Sequence, residues 1–132
     1  MEQIIYISTS RNEYPDSSMV REILETSRRN NARDDLSGLL LVGGRRFLQV
    51  LEGPSDAIGN AYARIRQDRR HFALVELSRR HVEERSFPNW SMGYEEEPQA
   101  LLPQVERLTA GVSNPMIKAQ LISFAEMHSK AA

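Results

Sequence analysis

The stretch Leu36–Pro54, LSGLLLVGGRRFLQVLEGP, limits the fold more than any other part of the sequence. It reads as two strands joined by a tight connection at Gly43-Gly44. Side chains alternate along a strand, so Phe47 and Leu51 fall on one face and Leu48 and Val50 on the other. Both faces are apolar, and a hairpin of this kind needs a cover on each side. Gln49 interrupts the pattern, because it shares a face with Phe47 and Leu51. A buried primary amide without partners costs about 1–3 kcal/mol. Gln49 must therefore be bonded to something.

The flanking segments switch between period two and period 3.6. Gln3–Ser8 is a first strand, with Ile4, Tyr6 and Ser8 on one face and Ile5 and Ile7 on the other. After a polar loop, Ser17 or Ser18 can cap a helix whose apolar stripe is Met19, Val20, Ile23 and Leu24. The stripe turns polar at its end, through Ser27, Asn30 and Asn31. A second helix follows Pro54, with Ser55 as its expected cap and Ile58, Ala61, Tyr62 and Ile65 on its inner face. FALVELSRRHV and RSFPNWSMGY read as two further strands, the last carrying Trp90 and Met92 on one face.

The order β-α-β-β-α-β plus an extra strand is an α+β, ferredoxin-like arrangement. Its first and third strands are expected as parallel neighbours at the sheet centre, with both helices on one face. Tyr6 and Gln49 then lie on adjacent strands and point toward the helices. Residues 98–132 are expected to be helical and to cover the opposite face, with Ile117, Leu121 and Phe124 as one stripe after an Asn114-Pro115 start signal. Glu95–Gln99 is the expected hinge between this extension and the sheet domain at residues 1–97.

A chain of 132 residues fits one domain. A net charge of −1 gives no field to attract nucleic acid or an anionic membrane. Arginine pairs such as Arg28-Arg29 and Arg69-Arg70 read mostly as solvated surface. With no cysteine, disulfides and thiolate chemistry are excluded. No signal peptide or membrane-spanning run is visible, and the expected location is the cytoplasm.

The helix-facing side collects an unusual set of polar groups: Tyr6, Gln49, Asn30, Asn31, and Arg64 with Asp68 one helical turn apart on the second helix. Each has an ordinary reading. Tyr6 can be a satisfied core tyrosine, the Asn pair a helix C-cap, Arg64–Asp68 an i,i+4 ion pair, and Trp90 and Met92 core filling. Together they need several unrelated polar satisfactions on one face of one small sheet. One bound planar, polar molecule would satisfy them jointly, with Ile23 and Ile65 packed on its two sides.

IIYIS, SRRNN, LSGLLL, FLQVLEGP, RIRQDRRH and FPNWSMG, in this order and at this spacing, resemble the BLUF family of blue-light sensors that use flavin. The resemblance covers about the first three quarters of the chain. It departs at Leu36-Ser37-Gly38, where Ile-Thr-Gly is common. It implies a noncovalently held flavin, FAD in the first instance, with FMN or riboflavin as alternatives. By the same resemblance Tyr6 is the photochemical electron and proton donor, and Gln49 bridges its hydroxyl to the flavin. Asn30 and Asn31 bond the ring's carbonyl and amide edge, and Arg64 and Asp68 lie toward its other end. Ile23 and Ile65 pack on the ring, Phe47 lies nearby, and Trp90 and Met92 relay the change to the last strand.

The implied function is a non-enzymatic blue-light photoreceptor that acts on a separate downstream protein or through homo-oligomer contacts, without nucleic acid, membrane or metal. A flavin-binding interaction module insensitive to light is the alternative. Two other classes fit less well. An RNA-binding module of this fold needs an aromatic-rich strand that RRFLQVL lacks. A phosphate-handling enzyme needs a glycine-rich first loop, and Ser8-Thr9-Ser10 has no glycine.

Overall fold

The computed structural model describes residues 1–10, 17–43, 45–85, 87, 91–95, 98–110 and 115–129. In chain order the elements are β1 (Glu2–Ser10), α1 (Ser17–Asp34), β2 (Ser37–Gly43), β3 (Arg46–Gly53), α2 (Ser55–Arg66), β4 (His71–His81), β5 (Gly93–Glu95), α3 (Pro98–Thr109) and α4 (Pro115–Ser129). The strands form one sheet in the order β4-β1-β3-β2-β5. This is the expected α+β architecture with its extra strand.

The direction of β3 differs from expectation: β1 and β3 are antiparallel, not parallel. The reason is topological. The hairpin makes β3 antiparallel to β2, and β3 inserts between β1 and β2. It therefore runs against both neighbours, while β1 and β2 point the same way. Tyr6 and Gln49 sit directly opposite one another in this ladder, which brings their side chains closer than a mere neighbouring position would. The turn also shifts by one residue. Gly43 still pairs with Arg46 and so belongs to β2, and Gly44 lies outside the described residues.

Other boundaries differ as well. Ser17 and Ser55 are the first helical residues, not caps. At α2 the cap is Pro54, whose carbonyl accepts the Ile58 N–H at 2.9 Å. The last strand is much shorter than RSFPNWSMGY suggests. Arg85 bonds the Ser37 hydroxyl, and the Phe87 N–H is taken by the Glu52 carboxylate at 2.8 Å. A side chain thus holds the Phe87 backbone, and β5 begins only at Gly93, pairing in parallel with β2. Met92 thus precedes β5, and Trp90 lies outside the described residues. The expected hinge is taken up by the end of β5 and the start of α3, with residues 96–97 outside the description.

The sheet is covered on both faces. On one side Ile5, Ile7, Leu48 and Val50 pack with Leu101, Val105, Leu121, Phe124 and Ala125 of α3 and α4. Leu121 and Phe124 are buried as expected, and the Ile117 side chain lies outside the described residues. On the other side Ile4, Tyr6, Phe47 and Leu51 pack with Met19, Val20 and Leu24 of α1, Ile58 and Ala61 of α2, and Met92. β4 is one of the two edge strands, and its residues are exposed or half-buried.

Gly38 in the SGL stretch is fixed by proximity: a Cβ there would stand 2.0 Å from the Val50 carbonyl oxygen of the neighbouring strand. Gly59 on α2 has nothing within 4 Å of the same position. Gly38→Ala is expected to lower stability by about 2–3 kcal/mol, and Gly59→Ala to raise it by about 0.5–1 kcal/mol. Urea unfolding midpoints of the two variants check both signs.

Candidate functional site

Between α1 and α2, over the sheet, lies a cavity of about 310 Å³. Its walls include Ile23, Asn30 and Asn31 of α1, Phe47 and Gln49 of β3, Arg64 and Ile65 of α2, and Asp68 beyond it. Each of the residues expected to hold a cofactor is therefore brought to one cavity. Leu40 and Ala61 add apolar wall.

Tyr6 lies beneath this wall, fully buried. Its hydroxyl donates to Gln49 Oε1, which answers what the interrupting glutamine is bonded to. Burial raises the Tyr6 pKa well above that of a free phenol, and the nearby Tyr62 and Asp68 add to the rise. The phenol therefore stays protonated and remains a donor. Because the amide oxygen faces Tyr6, the NH2 end of Gln49 is left to donate elsewhere. The Tyr62 ring packs on Tyr6 at 5.5 Å between centroids, tilted by 59°.

Asn31, also buried, lies inside α1 and does not cap its end. Its Nδ2 donates to the Ser91 carbonyl at 2.6 Å, which leaves Oδ1 as an acceptor. Asn30 is half-buried beside it. Arg64 and Asp68 do not pair. Amides of Gln67 and Asp68 bond the carbonyls of Arg64 and Ile65, three residues back, and this tighter turn ends α2 before Asp68. Arg64 instead reaches Asp34 of α1 at 3.1 Å, and Asp68 holds Arg70 at 2.6 Å. Burial acts to raise the Asp68 pKa, but the side-chain and backbone hydrogen bonds from Arg70 outweigh it, and the net shift is downward.

The sequence reading missed several lining residues: Thr26, Gln67, Arg70 and His71. Thr26 extends the α1 stripe by helical spacing and was legible. The others follow the end of α2, where no periodicity points inward. His71 ties two elements together, with Nε2 at 2.8 Å from the Ile65 carbonyl and Nδ1 at 2.7 Å from the Ser8 hydroxyl. A carbonyl can only accept, so Nε2 carries the hydrogen, and in the neutral ring the Ser8 hydroxyl donates to Nδ1. Ser37, the departure from the common threonine, bonds Arg85 and is not among the residues that line the cavity.

The donor set suits a planar ring with carbonyl and amide edges. Gln49 offers N–H, Asn31 offers a carbonyl oxygen, and Ile23 and Ile65 offer apolar contact from opposite helices. The family model for sensors of blue-light using FAD matches residues 1–93.

The chain belongs to the BLUF family.

Its fold agrees with the dark-state structure of the BLUF protein BlrB, with a TM-score of 0.75, 31% identity and coverage of 96% of each chain. Among curated relatives, photoactivated adenylate cyclase subunit beta of Euglena longa is 38% identical over 86 residues, 64% of this chain and 10% of that protein. The blue light- and temperature-regulated antirepressor BluF of Escherichia coli (strain K12) is 38% identical over 74 residues, 56% of this chain and 18% of that protein. The chain thus spans only a small part of the curated relatives it matches. The BLUF domain is a flavin-using blue-light sensor module, and FAD is the family's cofactor. Among the described residues, no helix is long and apolar enough to cross a membrane.

Asp34 links the two helices that wall the cavity. Hydrogen bonding from Arg33, with a further contribution from Arg64, outweighs partial desolvation and holds its carboxyl down at about 2, against an ordinary 3.8. A lowered acid pKa stabilises the folded state above the ordinary value, and that contribution is lost as pH falls from 3.8 toward 2. Carboxyl carbon chemical shifts are expected to place the Asp34 midpoint below the ordinary value, and Arg33→Ala to move it back up.

Proposed function

We propose that this BLUF protein is a blue-light photoreceptor whose switch is the Tyr6–Gln49 pair. The observation that carries the reading is the hydrogen bond from the buried Tyr6 hydroxyl to Gln49 Oε1, at the wall of a cavity furnished with amides. Bound flavin supplies absorption of blue light and, once excited, a strong one-electron oxidant. The chain supplies the rest. Gln49 Oε1 is the atom placed to receive the hydroxyl proton when Tyr6 loses an electron, and return of both restores the phenol. Rotation or tautomerisation of the amide in that interval exchanges the donor and acceptor ends it presents to the cavity. No lasting charge is left behind.

In this reading Asn30 and Asn31 hold the ring's carbonyl and amide edge, and Ile23 and Ile65 pack on its faces with Phe47 nearby. Arg64 and Asp68, each in an ion pair, flank the other end. Met92, buried in the cluster that contains Tyr6, receives the change in Gln49, and Trp90 is its partner in the relay toward β5. The altered hydrogen bond is worth about 1–3 kcal/mol, within the usual range of couplings between sites. That suffices to bias the packing of α3 and α4 against the sheet, and through it contacts with a separate downstream protein or a second copy of the chain. The cytoplasm is the proposed location.

Visible spectra before and after a blue flash test the reading on the wild type, Gln49→Leu and Tyr6→Phe. The wild type is expected to show a flavin spectrum that shifts slightly to the red and recovers in the dark, with no shift in either variant. A wild-type flavin that never shifts supports the light-insensitive binding module instead. An unchanged shift in Gln49→Leu removes Gln49 from the switch.

A further inference from the structure

The approach to β5 is held by α1 through side chains at two successive carbonyls. Asn31 Nδ2 donates to the Ser91 oxygen at 2.6 Å, and Arg28 Nε donates to the Met92 oxygen at 3.0 Å. Arg28 and Asn31 are three residues apart and share one face of the helix. In an extended strand successive side chains and carbonyls alternate in direction. Two consecutive carbonyls held by one helix therefore require a bend, and the backbone does bend at Ser91–Met92, which explains why β5 starts only at Gly93. Phe87, upstream, is anchored separately to Glu52 on the sheet at 2.8 Å.

The two donors differ in what else they touch. Asn31 lines the cavity, so a ring edge bonded there fixes the amide that also holds Ser91. Arg28 is exposed and is absent from the cavity wall. We propose that Arg28 and Asn31 form a clamp on the Ser91–Met92 backbone that keeps Met92 in the Tyr6 cluster. In it Asn31 couples cavity occupancy to β5, and Arg28 is a positioning residue that sets how firmly β5 is held. The Asn31 part rests on the flavin reading above. The Arg28 part stands on the backbone contact alone. Loss of either contact frees the bend, and β5, with three residues paired to one neighbour, has little else to keep its register.

Amide hydrogen exchange of residues 91–95 in the full chain, dark, with and without added FAD, tests this on the wild type, Arg28→Ala and Arg28→Lys. In the wild type FAD is expected to slow exchange of Gly93–Glu95 several-fold. With FAD bound, Arg28→Ala is expected to speed it by about tenfold, the scale of one charge-assisted hydrogen bond, and to shorten dark recovery. FAD affinity and the amides of β1 and β3 should stay unchanged. Arg28→Lys, which can still donate to the same carbonyl, is expected to recover part of the protection. Unchanged exchange in Arg28→Ala overturns the clamp, and so does an equal rise across β1 and β3, which would mark general loosening. If the wild type binds no FAD, the flavin reading fails with the Asn31 coupling. The flavin-free comparison of Arg28→Ala with the wild type then still decides the Arg28 contact, faster exchange supporting it and equal exchange overturning it.

Discussion

A buried phenol and a buried primary amide face each other across two central strands, and the site depends on their bond. Tyr6 has no exposure and a raised pKa, so its hydroxyl keeps its proton and needs an acceptor. Gln49 provides one, and in doing so it turns its NH2 end away from Tyr6. Their antiparallel register places them directly opposite. A one-residue slip would send Gln49 to the α3–α4 face and leave Tyr6 unsatisfied. The apolar alternation of β1 and β3 therefore protects the geometry of the site as well as the core.

Covering both faces of the sheet separates two tasks. On the α1–α2 side, packing is incomplete and leaves a cavity with polar walls. On the α3–α4 side, apolar side chains of both helices pack over the strands. Gln49 and Leu48 are neighbours in sequence but belong to opposite faces. A change in the hydrogen bonding of one is thus a single backbone step from the packing of the other. The segment before β5 has contacts in both directions, through Glu52 and Arg85 to the sheet and through Asn31 and Arg28 to α1.

Much of this was legible in the sequence, for physical reasons that also explain what was not. Period-two alternation identified Tyr6 and Gln49 as inward and polar, and helical spacing put Ile23, Asn31 and Ile65 on the faces that enclose the cavity. Periodicity says nothing about strand direction, and β1–β3 pairing was misjudged because the hairpin's reversal was not carried through to the neighbouring strand. Asp68 was assigned to α2 by spacing alone, but a tightened last turn ends the helix earlier. The bend at Ser91–Met92 was invisible because it depends on Arg28 and Asn31, residues distant in sequence whose side chains take over backbone partners. Gln67, Arg70 and His71 were overlooked as site residues for the same kind of reason: they follow the end of α2, where no helical periodicity points inward.

The central claim is that Gln49, held by Tyr6, changes its hydrogen bonding when the protein absorbs light. The side-chain amide resonances of Gln49 in the flavin-bound protein, in the dark and under steady blue light, report this directly. The account predicts that the Gln49 NH2 signals move on illumination and return in the dark, while those of Gln120, exposed on α4, stay in place. Gln49 signals that remain fixed while the flavin spectrum shifts would contradict it.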